Sequence, residues 1–516
     1  MPVSNNPSPS PLRFLLGAAA LSLLAASALA QPVPVSGLSP NPDGGDPTNP
    51  AAVTACNGAP QTGKVYRNSE VEPHIAVNPT DPDNMIVGWH QDRWSTGGGQ
   101  SLGVAVTHDG GNNWTQVIVP FTRCAGGEGT DAGDFERASD PWISFSPDGR
   151  AHYMSLSFKD SVSENAMAVA SSDDGGLTWT EPTIITGSPA QDANGRSLFH
   201  DKNTITADPN DPNLVYATWT LFRWGNTAVL FSGSTDGGKS WTRARPVDAF
   251  ATVGPAEQVF FRQGAQIVVQ PDGTLVNFYY RILFDRITGR VTFDHATYQS
   301  RDQGRHWDKV ESQISTHQSV NAFDPELGVP VRDAGDIPDV AVNRTDGTLY
   351  IVWQTQRPSG FVGVDIARST DGGRTWSAPV AANPNQPDDS VQTFIPTVAV
   401  NDAGLVGVLF YDLRKDVIGD APLSTDVWLS IFDANLNFVR EERLTPASMD
   451  LRQSAITGGR GYFPGDYMGL DSAGDDFVAA FTRNNDLGLP VDFPQAGGLS
   501  VDGNNRTDIV FARVAP

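Results

Sequence analysis

Five copies of one short pattern, Ser/Thr-x-Asp-x-Gly-x-x-Trp, constrain the fold of this chain more than any other feature of its sequence. The copies occupy residues 107–114, 172–179, 234–241, 300–307 and 369–376. An Asp side chain accepts hydrogen bonds from the backbone two residues on, and Gly supplies the positive φ of a tight turn. The Trp then has a large apolar ring to bury beside that turn. Average residue frequencies predict on the order of one chance match per hundred chains, so five copies indicate a repeated structural unit.

A second repeated element is a short apolar strand, a polar turn and another apolar strand. The first strands of these pairs centre on Ile75, Ile143, Ile205, Ile267, Val340, Val398 and Met468. β-branched runs bounded by Asp, Asn, Pro and Gly, in repeated groups of four, are typical of propeller blades. We therefore predict an all-β propeller of seven four-stranded antiparallel blades, with six as the alternative, as a single domain over residues 61–516. We expect residues 63–67 to supply the N-terminal strand that closes the last blade, since closure removes exposed sheet edges.

The repeated turn resembles the Asp-box, or BNR repeat, of the sialidase superfamily. The resemblance covers residues 63 to the C-terminus and implies a turn between the third and fourth strands of a blade, away from the active site. It also implies a secreted, bacterial-type, exo-acting glycoside hydrolase. Sialidases usually have six blades and carry an Arg-Ile-Pro motif before the first box, whereas this chain has Val65-Tyr66-Arg67-Asn68-Ser69 there. The resemblance is thus specific for the fold and not for the cleavage of sialic acid.

One face of the predicted propeller collects charged side chains. Second strands end with a cation in each unit, and first strands tend to begin with an acid, so both types converge at the mouth of the central channel. Arginine forks suit a carboxylate, and a protonated carboxylic acid can act as a general acid. The candidate catalytic residues are Asp140, Asp201, Asp336 and Tyr411, with Tyr280 and Tyr462 as further possible nucleophiles; the candidate substrate-binding residues are Arg93, Arg223, Arg281, Arg357 and Arg414. The alternative is that these acids and arginines form structural ion pairs between neighbouring blades.

The net charge limits the classes of partner. A formal charge of −24 argues against nucleic acid and against anionic membranes, because both attract basic surfaces. No Cys/His cluster has zinc-ligand spacing. The loop containing Glu128, Asp131, Asp134 and Glu136 has oxygen ligands that suit Ca²⁺ but lacks the spacing of an EF-hand, so a solvated acidic loop is the alternative. We predict no cofactor and make no prediction of the oligomeric state.

The N-terminus has the features of an export signal. An apolar run follows Arg13 and ends in Ala28-Leu29-Ala30, a small-x-small cleavage pattern, so residues 1–30 are predicted to be a signal peptide cleaved near Ala30. The mature chain is then predicted to be secreted or periplasmic, without membrane insertion, and to begin with an extended Pro/Gly-rich leader over residues 31–60. In an oxidising compartment, exactly two cysteines favour a Cys56–Cys124 disulfide; the alternative is two buried thiols.

Two functional hypotheses remain open at this point. The first is a secreted, sialidase-like propeller that acts on glycans as an exo-acting glycoside hydrolase. The second is a non-catalytic extracellular propeller that binds a protein or a polysaccharide. A polar pocket with an acid and an arginine that is not engaged by a neighbouring acid would favour the first.

Overall fold

A computed structural model describes most of the chain. The described residues are 1–2, 32–41, 56–60, 63–128, 132–162, 164–188, 198–223, 226–247, 257–285, 287–308, 312–317, 320–335, 337–384, 389–456, 461–484, 499–501 and 507–516. Within these ranges the helical segments are three single 3-10 turns, Cys56–Gly58, Arg123–Ala125 and Leu451–Gln453. A search of this part of the chain finds no helix with the length and hydropathy needed to cross a membrane. The predicted signal peptide lies outside the described residues.

A single pair, Gly99 with Ala138, joins the first two groups of strands into one ten-stranded sheet that also contains Gly63–Tyr66 and Leu499–Val501. Each of the first four groups consists of four sequence neighbours that pair antiparallel. Each is called a unit and numbered in chain order. Unit 1 is Val71–Asn78, Asp81–Trp94, Gly99–Thr107 and Thr115–Ile118; unit 2 is Arg137–Phe145, Ala151–Lys159, Glu164–Ser172 and Thr183–Ser188; unit 3 is Leu198–Ala207, Val215–Arg223, Asn226–Ser234 and Arg245–Pro246; unit 4 is Glu257–Val269, Leu275–Asp285, Val291–Ser300 and Ser312–His317. The predicted all-β architecture of four-stranded antiparallel sheets is confirmed.

The remaining groups follow the same plan. Unit 5 is Asp339–Val342, Leu349–Gln356, Val362–Ser369 and Val380–Ala381; unit 6 is Thr393–Val400, Val406–Asp412, Ser424–Phe432 and Phe438–Arg443; unit 7 is Gly469–Ala473, Asp476–Asn484, Thr507–Val514 and Val33–Pro34. Five short strands of the described residues lie outside these units. Gly63–Tyr66 pairs in parallel with Leu499–Val501, Ala455–Ile456 pairs with Tyr462–Phe463, and Met449–Asp450 pairs with the third strand of unit 6.

The apolar core lies between the units. Each first strand contacts the first strand of the next unit, and the first strand of unit 7 contacts that of unit 1. One core cluster joins units 7 and 1 through residues that include Val35, Ile75, Trp89 and Phe511. Because both faces of a unit are covered, its strands are buried nearly continuously, as Gly99–Thr107 shows. The first strands therefore meet around one axis, where their starting ends can share a site.

The strand that completes unit 7 differs from our prediction. We expected residues 63–67, but Val33–Pro34 pairs with Phe511 and Val510 of the third strand of unit 7. Val65 and Tyr66 pair instead with the end of the second strand of unit 1, opposite Trp94 and Arg93, which leaves the edge of unit 7 for the earlier segment. Pro34 is tolerated there because an edge strand leaves one row of N–H groups unpaired.

The repeated turns lie between the third and fourth strands of units 1 to 5, as predicted. In the first copy Thr107 Oγ1 donates to Asp109 Oδ1 (2.8 Å), and Trp114 Nε1 donates to Gly111 O (3.2 Å). The Asp carboxylate accepts from the N–H four residues on, that of Asn113 (2.9 Å), and not two residues on as we expected. Gly111 has φ +95°, so Gly is required at this position.

The predicted disulfide is present and ties the N-terminal region to the loop after unit 1. Cys56 and Cys124 are bonded with their Cα atoms 4.1 Å apart. Both cysteines are buried with Ala59 in a small apolar cluster.

Candidate functional site

Bulges interrupt five of the first strands. Glu72, Asp140, Lys202, Gly264 and Ile395 have φ between +51° and +65°, and each coincides with a register shift of its strand. Each lies three residues before the first-strand centre of its unit. A left-handed non-Gly residue costs about 1–3 kcal/mol, and such strain together with a bulge is commonly found at sites where a side chain must be re-aimed.

Lys202 is the centre of a cluster of buried charges drawn from four units and their borders. Its Nζ lies 2.5 Å from Asp466 Oδ2, 3.6 Å from Asp140 Oδ1 and 4.0 Å from Glu72 Oε1. Burial alone would lower the pKa of Lys202, but the three carboxylates raise it above its ordinary value. Burial would likewise raise the pKa of Asp466, but Arg332 and Lys202 hold it well below its usual range. The ammonium group is therefore a fixed positive charge that holds the acids together.

Asp140 and Asp201, two of the predicted catalytic acids, lie side by side. The backbone N–H of Lys202 donates to Asp140 Oδ2 (2.8 Å) and to Asp201 Oδ1 (2.9 Å). Asp201 is half-buried, and burial together with the negative charge of Asp140 raises the pKa of Asp201 to about 7. Two carboxyl groups this close resist ionising together. Asp201 can therefore carry a proton near neutral pH and donate it.

Glu72 and His90 complete the floor of the mouth. His90 Nε2 lies 2.7 Å from Glu72 Oε2 and 2.9 Å from the backbone N of Asp140. Burial would raise the pKa of Glu72, but His90 and Lys202 lower it below its ordinary value. Glu72, His90 and Asp140 each offer a ligand atom within 4.8 Å of the others. The Lys202 ammonium already lies beside the carboxylates of Glu72 and Asp140. The protein itself therefore supplies a positive charge that balances these two acids.

A cavity of about 850 Å³ opens above these residues and includes Glu72, His90, Asp140, Asp201, Lys202 and Asp466 in its lining. Arg93 and Arg332 also line it, each with its guanidinium 4.5 Å from the ring centroid of Phe463. Arg93 Nη1 donates to Gly98 O (2.8 Å), while its buried Nε has no hydrogen-bond partner among the described atoms. Burial and the nearby charge of Arg332 lower the pKa of Arg93 to about 10. The Arg332 guanidinium bonds Asp466 (3.1 Å).

Among the described ion pairs, three other predicted arginines bind acids of their own units. Arg281 pairs with Asp294 (2.5 Å), Arg357 with Asp365 (2.7 Å), and Arg414 with Asp412 and Glu441. These described pairs therefore lie within units and do not join neighbouring units. Arg223 ends the second strand of unit 3 and is half-buried.

The predicted tyrosines are not part of the cavity lining that the structure describes. Tyr411 is buried in the core of units 6 and 7, and its hydroxyl donates to Thr482 O (2.7 Å). Tyr280 is buried in the second strand of unit 4, and Tyr462 in a short hairpin. Tyr467, which we did not single out, lies beside the charged cluster, with Lys202 Nζ 5.7 Å from its ring centroid. Asp336 lies outside the described residues.

Two carboxylates of the acidic loop that suggested Ca²⁺ are engaged by protein donors. Asp134 binds Arg123 and Lys159 (2.9 Å from Nζ), and Glu136 accepts from the backbone N of Ser161 (3.0 Å). Asp131 lies outside the described residues. The loop therefore braces the hairpin between the second and third strands of unit 2.

Sequence reasoning missed His90, Lys202 and Arg332 as site residues. Lys202 could have been found, because it occupies the position three before Ile205 that Glu72 and Asp140 occupy in their units. Arg332 lies in the irregular segment between units 4 and 5, where no repeat marks it.

No protein-family model matches the chain, and no curated protein matches it. Solved structures do resemble it. An α-L-arabinanase of Penicillium chrysogenum in complex with arabinobiose is 10% identical over 88% of this chain and 98% of its own, with a TM-score of 0.43. A Hadza microbial sialidase is 15% identical over 84% of this chain and 74% of its own, with a TM-score of 0.42. A leech intramolecular trans-sialidase is 12% identical over 87% of this chain and 68% of its own, with a TM-score of 0.40. At these values the likenesses say nothing about the activity of this chain.

Proposed function

We propose that this protein is an exported, glycan-acting hydrolase in which Asp201 is the general acid. The observation that supports this most is a half-buried carboxyl group whose pKa is raised to about 7 at the floor of an open cavity. A general acid works best when its pKa lies near the working pH, because a large fraction is then protonated and the proton is still transferred readily to the substrate. Paired carboxyl groups with separated pKa values are the usual machinery for cleaving a glycosidic bond.

In the proposed reaction, Asp201 gives its proton to the glycosidic oxygen as the bond from that oxygen to the anomeric carbon breaks. Water then adds to the anomeric carbon, and its proton returns to Asp201. The carboxylate of Asp140, which shares the Lys202 N–H with Asp201, stabilises the positive charge that develops on the sugar ring. Lys202 holds Asp140 and Asp466 in place.

Arg93 and Arg332 suit a sugar that carries a carboxylate, in keeping with an exo-acting, sialidase-like activity. An arginine offers two parallel N–H donors to a carboxylate, and Arg93 and Arg332 both line the cavity. We expect Arg93→Lys to raise KM for an acidic glycoside at least tenfold, because the ammonium group loses the fork geometry. The same substitution should change KM for a neutral glycoside by less than twofold.

The test of the general acid compares leaving groups. Asp201→Asn should lower kcat/KM at least a hundredfold for glycosides whose leaving group must be protonated, such as methyl or sugar aglycones. It should lower kcat/KM less than tenfold for nitrophenyl glycosides, whose leaving groups depart without a proton. Asp140→Asn should impair both substrate types equally. An equal loss for both types in Asp201→Asn would refute the assignment, and saturable glycan binding without any turnover would favour the non-catalytic alternative.

A further inference from the structure

One wall of the cavity is apolar, in contrast to its charged floor. Leu156, Phe158, Leu198 and Phe199 line the cavity and are here called the apolar wall. Phe158 and Phe199 meet edge to face, with ring centroids 6.2 Å apart, and both are half-buried. Leu156 and Phe158 end the second strand of unit 2, while Leu198 and Phe199 begin the first strand of unit 3. An apolar patch that stays partly open in a cavity is a feature of ligand-binding grooves.

The apolar wall is adjacent to the proposed acid. Phe199 and Asp201 are two residues apart on one strand, in a stretch of regular pairing opposite Phe222 and Thr220. That spacing places both side chains on one face of the sheet, and both line the cavity. A group that receives a proton from Asp201 must therefore lie beside Phe199.

The wall is also held in a fixed position. Arg137, which pairs with Phe158 across the first two strands of unit 2, donates to Gly97 O (3.0 Å) and to Asp160 (2.8 Å). The Phe158 ring packs so closely on Gly98 that a Cβ there would lie 2.8 Å from Phe158 Cζ. Side chains fixed in this way lose little freedom when a ligand arrives, which favours binding.

We propose that the apolar wall is a subsite for an apolar, aromatic leaving group, centred on Phe199. The cleaved substrate is then a glycoside of a phenol-like or similarly apolar alcohol and not a purely polysaccharide chain. The term leaving group rests on the proposed hydrolase function, whereas binding of the aromatic ring does not. In this proposal Arg93 and Arg332 bind the carboxylate of the sugar, and the apolar wall binds the aromatic leaving group of the same substrate.

The first experiment measures the subsite without the sugar. The probe is 4-methylumbelliferone, titrated by fluorescence into the full protein. Phe199→Ala should weaken its binding at least tenfold, and Phe199→Leu should weaken it by an intermediate factor. Phe222→Ala is the matched control: Phe222 pairs with Phe199 in the same sheet but packs on Phe261 (5.8 Å), so the affinity should change less than twofold. Thermal unfolding checks that each variant is folded.

Absence of saturable binding, or binding that is unchanged in folded Phe199→Ala and Phe199→Leu, would overturn the subsite. The second experiment compares kcat/KM for 4-methylumbelliferyl and methyl glycosides of one sugar in the parent protein and in Phe199→Ala. A preference for the aryl glycoside that collapses in Phe199→Ala supports the subsite. If the fluorophore binds through Phe199 and no glycoside is cleaved, the hydrolase proposal fails while the subsite stands. If glycosides are cleaved with no dependence on Phe199, the subsite fails while the hydrolase proposal stands.

Discussion

Asp201→Asn should make the folded protein more stable at pH 8 even as it removes the proposed activity. The pKa of Asp201 is raised from 3.8 to about 7, so the folded protein binds this proton more tightly than the unfolded chain does. The stability contributed by the proton is complete below pH 4 and is lost as the pH rises from about 4 to about 7. At about 1.4 kcal/mol per pH unit the upper limit is about 4 kcal/mol, and solvent screening of a half-buried group reduces this to about 2 kcal/mol. An amide imitates the protonated acid and avoids the loss.

The assay is urea unfolding of the parent protein and the variant at pH 4 and pH 8, with the free energy of unfolding compared at each pH. We expect a stabilising difference at pH 8 that shrinks towards zero at pH 4. Asp134→Asn is the matched control: burial alone would raise the pKa of Asp134, but Lys159 and Arg123 lower it below its ordinary value, and Asp134 is the charge partner of both. Removing that partner should destabilise the protein at pH 8. The argument is refuted if Asp201→Asn is less stable than the parent at pH 8, or if its effect is the same at both pH values.

Three further predictions concern the architecture that supports the site. Asp92 accepts from Ser39 Oγ (2.6 Å) and Asn41 Nδ2 (2.9 Å) and pairs with Arg67 (2.8 Å). Asp92→Asn should therefore cost about 3 kcal/mol of local stability and speed proteolysis within residues 32–41 about a hundredfold. Asp426, equally buried in unit 6, is the control, and Asp426→Asn should not speed that cleavage. Reduction of the disulfide, which spans 68 residues, should lower the free energy of unfolding by about 4 kcal/mol, and a Cys56→Ser, Cys124→Ser variant should show no response to reductant. Gly103→Ala should destabilise the protein by about 1–3 kcal/mol, because the added Cβ would lie 2.3 Å from Trp89 Cε2. Gly187→Ala is the control, since a Cβ there would have its nearest atom 3.6 Å away. That variant should unfold at nearly the same urea concentration as the parent protein.

The repeats made the strand plan predictable from the sequence, because a turn that needs Gly and a buried Trp leaves a recognisable pattern. The same pattern located the face on which Asp140 and Asp201 meet. It could not locate the closing strand, since Val33–Pro34 has two residues and carries no periodic signal. It also could not show that Arg281, Arg357 and Arg414 bind acids on the third or fourth strands of their own units, because the positions of Asp294, Asp365 and Glu441 follow no repeat.

The site depends on ring closure, and this links the N-terminal strand to the acids. Glu72, Asp140 and Lys202 belong to units 1, 2 and 3, while Asp466 precedes the first strand of unit 7. The backbone N of Asp466 donates to Glu72 Oε1 (3.1 Å), so the contact across the join between units 7 and 1 is part of the site itself. Val33–Pro34 holds the third strand of unit 7, and Thr507 at the start of that strand donates to Glu70 O (2.8 Å), two residues from Glu72. Loosening Val33–Pro34 should therefore move Glu72 relative to Asp466 and weaken the ion pairs of Lys202 with these acids before the other units unfold.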